Sequence, residues 1–114
     1  MRNWWAAQGE AVRVPVSILA EVTYLIGSRL GPHLEERFVR DIANGEFLLE
    51  ELELADYARA ADLMAAYADL RLGFVDASIV AMAERLDVTT ILTTDRRHFG
   101  VVRPAHCERL RLVP

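Results

Sequence analysis

Any fold open to this chain has to accommodate three carboxylates that occupy places where core residues are expected. Glu21 lies inside the apolar run Val16 to Ile26, Asp76 opens the run Asp76 to Ala83, and Asp95 ends the run Thr90 to Asp95. Charged side chains are almost never fully buried unless they are paired or bound to a metal. Three acids set in core-like segments therefore suggest one shared site.

The surrounding pattern indicates what kind of fold would bring them together. Arg2 to Gln8 reads as the end of a helix closed by Gly9, and Ala11 to Pro15 as a short β-branched strand. A helix follows, capped by Ser17 and ended at Gly27 or Gly31. Pro32 to Ala43 is a second helix, stopped by the turn signal Asn44-Gly45, with a strand from Glu46 to Leu49 or Glu50. Leu54 to Leu70 has helical spacing, with Leu54, Tyr57, Ala58, Ala61, Met64, Ala65 and Ala68 as its apolar face. Gly73 interrupts it, and Asp76 to Leu86 resumes as a helix. Val88 to Thr93 and Arg109 to Val113 read as strands. Alternating strands and helices predict an α/β fold with a mainly parallel sheet. With 114 residues and no linker or repeat, one domain over 1–114 is expected.

Helical spacing puts Glu21 on a face with Ile18 and Leu25, and Asp76 on a face with Ile79, Val80 and Ala83, so both acids are expected to point at the sheet. Asp95 follows its strand directly, at the sheet edge where α/β proteins bind ligands. Converging carboxylates repel one another, and a divalent cation is the usual remedy; all-oxygen ligands favour Mg²⁺ or Mn²⁺. Such an ion commonly drives phosphodiester chemistry by activating the attacking water and stabilising the leaving oxygen. Each acid also has a plainer reading: Asp76 as a helix cap, Asp95 as a turn residue, Glu21 as the partner of an arginine such as Arg29.

Bulk composition narrows the classes. Apolar residues make up 53% and charged residues 26%, as in a globular protein rather than a disordered one. No apolar stretch approaches the roughly 18 residues of a membrane span, and the first ten residues carry no apolar signal core. Cys107 is the only cysteine, which excludes an internal disulfide and a cysteine-rich zinc site and makes the cytoplasm the expected compartment. The net charge of −4 argues against a general nucleic-acid coat protein. All 13 basic residues are arginine, which reflects either codon bias or phosphate contacts suited to the guanidinium fork.

Three segments carry a resemblance: Val14 to Val22, Phe74 to Ala83, and Ile91 to Phe99. In their order and spacing the chain resembles the PIN-domain ribonucleases, most closely the toxins of VapBC-type toxin–antitoxin pairs, and Leu110 to Pro114 looks like the last strand of that family. The resemblance implies a sheet flanked by helices and a Mg²⁺- or Mn²⁺-dependent endoribonuclease. By position, Glu21, Asp76 and Asp95 would be metal-binding catalytic carboxylates, and Ser17 and Thr94 would match hydroxyl positions that orient a carboxylate or a water. N-capping by Ser17 and strand propensity at Thr94 are the competing readings. The resemblance also implies an RNA substrate, a cognate antitoxin and a homodimer.

One departure stands out. The family begins with an apolar strand ending in an aspartate of the acidic cluster, and Met1 to Ala7 instead looks like the helix that follows it. The expected fold is therefore PIN-like and N-terminally truncated. The alternative function is a catalytically impaired module that only binds an antitoxin or dimerises. Around the acids, Arg96, Arg97 and His98 are candidate RNA contacts through a phosphate. Phe38, Ile42, Leu48, Leu52 and Leu54 are candidates for a partner-helix groove. Trp4, Trp5, Tyr24, Phe38 and Tyr57 are expected in core or interface packing. Asp56, Asp62 and Asp69 are expected on a solvated helix face.

Overall fold

Val14 and its neighbours form a strand because a β-branched run stiffens toward extended backbone and Pro15 cannot continue as helix. The computed structural model describes residues 12–93 and 98–113. The readings made on Arg2 to Gln8, Trp4, Trp5, Thr94, Asp95, Arg96 and Arg97 lie outside the described residues. The chain divides into two compact units, Met1–Glu51 and Leu52–Pro114.

In the first unit, strand β1 (Arg13–Pro15) pairs in parallel with β2 (Leu48–Glu50), with Val14 opposite Leu49. A parallel pair needs a long crossover. Here the crossover is a 3₁₀ turn at Val16–Ile18, helix α1 (Leu19–Leu30) and helix α2 (Pro32–Ala43). Gly31 separates the helices: its φ of 104° lies outside helical space, and its N–H donates to Ile26 and Gly27 carbonyls at 3.1 and 3.2 Å. Pro32 then starts α2 at the first position, where its missing N–H costs nothing. Ser17 does not hold the cap of α1; that position is Ile18, because the chain first makes the 3₁₀ turn in which Ser17 lies. Within this unit Phe38 packs against Phe47 with centroids 5.5 Å apart, and Arg13 pairs with Glu50 across the strands. Val14 is its buried apolar residue among those described, while Tyr24 is 70% exposed, so of the core or interface packing expected for that tyrosine the core role is not met.

The second unit holds the core. Helices α3 (Leu54–Ala66) and α4 (Phe74–Leu86) lie beside a second parallel pair, β3 (Thr90–Leu92) and β4 (Arg111–Val113), with Ile91 opposite Leu112. Ala60, Leu63, Leu72, Ala77, Val80, Ala83, Phe99, Val102 and Leu110 form one buried cluster. The helical run expected to reach Leu70 stops earlier, at Ala66; a 3₁₀ turn covers Ala68–Leu70 and Arg71 takes a left-handed conformation at φ 54°. Helix α4 begins at Phe74, two residues before Asp76.

The expected apolar face of α3 is not the buried one. Leu54, Tyr57 and Met64 are exposed, as are Ala58, Ala61, Ala65 and Ala68, whereas Asp56, Ala60 and Leu63 are buried. Alanines all around the helix blur its hydrophobic face, and the true buried stripe contains an acid that no apolar pattern would select. Tyr57 instead stacks on Phe74, ring centroids 5.8 Å apart and nearly parallel, with both rings partly exposed. Asp62 and Asp69 are exposed as expected; Asp56 is not, for a reason given below. Among the described residues no helix is long and apolar enough to cross a membrane.

Candidate active site

Asp76 is the third residue of α4, whose N-cap is Gly73. It therefore does not cap the helix, although its carboxylate still sits in the first turn, where the exposed amide dipoles favour negative charge. On the same face Val80 and Ala83 are buried and Ile79 is partly buried, as the spacing required. Ser78 is fully buried and anchors the turn by donating from Oγ to the Val75 carbonyl at 2.7 Å. Asp76 ends at the surface of this unit, with 29% of its side-chain area exposed.

Its partner is His98, 22 residues away in sequence: His98 Nδ1 lies 2.8 Å from Asp76 Oδ2. An ionised carboxylate only accepts, so the contact calls for a ring that carries a proton on Nδ1, with Nε2 as the other ring nitrogen. His98 was singled out because it follows Asp95 by three residues, but the group it touches is Asp76. No local signal marks that contact, which depends on the 98–110 segment returning over α4.

The other well-buried acids of this unit are used by arginines. Asp56 is 3% exposed and accepts from Arg85 Nε on both oxygens, at 3.1 and 3.0 Å, and from the Glu53 N–H at 2.9 Å. This pairing is why an acid can occupy the buried stripe of α3. Glu84 accepts from Arg59 Nε and Nη2 at 2.8 and 3.0 Å and from the Ala105 N–H at 2.7 Å. Burial alone would push the Glu84 carboxyl up, but the Arg59 and Ala105 hydrogen bonds, with the nearby charges of Arg59 and His106, outweigh it and hold it below the usual glutamate range. The same hydrogen bond to Glu84 holds Arg59 above its ordinary value against the opposing effect of burial. Sequence reasoning missed both pairs, since 25 and 29 residues separate the partners. Asp76 differs from both acids: among the described residues it meets an imidazole and no guanidinium.

Glu21 lies in the first turn of α1, in the other unit, and is exposed. The expectation that it points inward is not met, because no residue of α1 is buried and Leu25 on its face is 37% exposed. Asp95, which would complete the set, lies outside the described residues. Among the described residues no group of three or more His, Cys, Asp or Glu side chains gathers at metal-binding distance. The geometry at hand is thus one semi-exposed carboxylate, fixed at a helix start and held on one oxygen by a histidine.

The PIN domain family matches residues 1–103. Ribonuclease VapC26 of Mycobacterium tuberculosis (strain ATCC 25618 / H37Rv) is 35% identical over 108 residues, covering 95% of this chain and 80% of that protein. The family match over residues 1–103 spans all three acid-bearing segments. The chain belongs to the PIN-domain family, on its VapC-type branch.

Proposed function

We propose that this chain is an endoribonuclease toxin that hydrolyses RNA phosphodiester bonds with Mg²⁺ or Mn²⁺. The observation that carries the reading is Asp76, a carboxylate set among buried apolar residues, kept partly exposed and, among the described residues, without the arginine pairing that neutralises Asp56 and Glu84. The likeness to a protein called a ribonuclease supports RNA as the substrate class.

The donor chemistry fits a hard cation: Asp76 has one oxygen bonded to His98 and a second to offer, Glu21 is exposed, and Asp95 is a third carboxylate. Asp76, Glu21 and Asp95 would hold the ion. When bound, it would polarise the phosphodiester and make water a better nucleophile near neutral pH. Ser17 and Thr94 would orient carboxylates through their hydroxyls. Arg96 and Arg97 would hold the phosphate backbone, a task that suits the planar guanidinium fork.

The test is cleavage of a mixed RNA pool by the 114-residue chain with Mn²⁺, with EDTA, and as Asp76→Asn. Cleavage that disappears with EDTA and with the substitution supports the reading. Cleavage that persists in folded Asp76→Asn refutes it. A cognate antitoxin and a homodimer complete the proposal, supported by the exposed apolar stripe of α3 from Leu54 through Tyr57, Ala61 and Met64. That stripe also favours the second reading, a protein-binding module without catalysis, which absence of metal-dependent cleavage by the folded chain would select.

A further inference from the structure

We propose that His98 is a positioning residue for Asp76, acting through its Nδ1–H rather than through contact with RNA. The inference rests on the nuclease reading and deepens it. Its basis is geometric. The 2.8 Å contact joins a helix-start carboxylate to a ring that is itself 22% exposed, so both groups are semi-buried and neither is fully hydrated.

A hydrogen bond to one oxygen removes the rotational freedom of a two-oxygen group about its terminal torsion, which is otherwise broad. With Oδ2 held, Oδ1 is the atom left for a cation. Metal-site carboxylates elsewhere are held by outer hydrogen bonds in the same way, and losing such a partner commonly weakens metal affinity by about 10–100-fold.

The ring is in turn supported by its own segment. Next to it Phe99 is 4% exposed and Val102 is fully buried in the core of this unit. The N–H groups of Val101 and Val102 both donate to the His98 carbonyl, at 3.1 and 3.0 Å. Farther along, the Arg103 N–H donates to Tyr67 Oη at 2.9 Å and the Ala105 N–H to Glu84. The backbone that follows His98 is thus tied to Tyr67, at the end of α3, and to Glu84 of α4. Guanidinium groups that pair with acids elsewhere in this unit would add a full positive charge beside the cation site; an imidazole can donate the same bond while neutral.

The experiment uses the full chain as wild type, His98→Asn, His98→Gln and His98→Ala, with Mn²⁺ alone as the probe and calorimetric titration as the readout. The asparagine amide nitrogen stands as many bonds from Cβ as Nδ1 does, whereas the glutamine amide corresponds to Nε2. His98→Asn is expected to keep Mn²⁺ affinity close to wild type, while His98→Gln and His98→Ala weaken it by about 10–100-fold. Melting temperatures in EDTA show whether each variant is folded, and the Asn-against-Gln comparison decides even if His98→Ala is not. Wild-type affinity in His98→Gln, or equal weakening in Asn and Gln, overturns the proposal. If wild type binds no Mn²⁺, the metal reading itself fails; ring-nitrogen NMR then decides the contact. An Nδ1–H tautomer in wild type that is lost in Asp76→Asn supports it, and an Nε2–H tautomer in wild type overturns it.

Discussion

Removing the guanidinium of Arg85 should be among the most damaging changes to the second unit. Asp56 is 3% exposed, Arg85 donates to both of its oxygens, and the Glu53 N–H donates to the same carboxylate at 2.9 Å. Arg85→Met keeps an unbranched apolar stem but strands the acid. Breaking a buried pair on one side costs about 3–5 kcal/mol, because the remaining charge stays desolvated. The Arg85 side chain is 25% exposed, so water reaches the pair from that side and the expected loss lies near the lower end, about 3 kcal/mol. For a unit of this size that corresponds to a fall in Tm of roughly 12–24 °C. Urea titration of wild type, Arg85→Met, Asp56→Asn and the double variant measures it. The double variant should recover much of the loss, since an amide needs no counter-charge. A single-variant cost below about 1 kcal/mol, or a double variant equal to the sum of the singles, would refute the buried-pair account.

Further outcomes follow from the same geometry. Leu63 is 2% exposed at the centre of the cluster, so Leu63→Ala should cost about 2–5 kcal/mol by denaturant titration, and a cost under 1 kcal/mol would show that the site collapses around the gap. Glu84 has its folded carboxyl held below the usual range, so its contribution to stability is present above that range and disappears as pH falls through the folded value. The Tm gap between wild type and Glu84→Gln should therefore narrow on acidification from neutral pH, and a gap that widens would contradict the linkage. Gly27 sits inside α1 with the carboxylate end of Glu35 lying over it. Because that end is flexible, Gly27→Ala should be neutral or stabilising by up to about 1 kcal/mol through helix propensity; a clear loss in Tm would mean that Glu35 is anchored in place.

The parts of the fold that could be read in advance are those set by short-range chemistry. Pro32 at a helix start, Gly31 and Gly45 at positive φ, and the β-branched runs at Val14 and Ile91 each act within a few residues, and each element fell close to where it was expected. The face of α3 could not be read this way. Its buried stripe includes Asp56, acceptable there only because Arg85 arrives from another helix, and its alanines offer no apolar contrast. Likewise, the inward aim expected of Glu21 followed from helical spacing alone, while the packing of its unit leaves α1 without a buried residue.

Chain order by itself determined the family, the alternation of helices and strands, and the three acidic candidates, because motif spacing and local propensity are carried along the backbone. Only the tertiary structure decided what each acid does with its charge. It gave Asp56 and Glu84 to arginines 29 and 25 residues away and left Asp76 to a histidine. Such pairings are settled by which side chains meet once the core has closed. The energy of a semi-buried charge depends on those neighbours far more than on its place in the sequence.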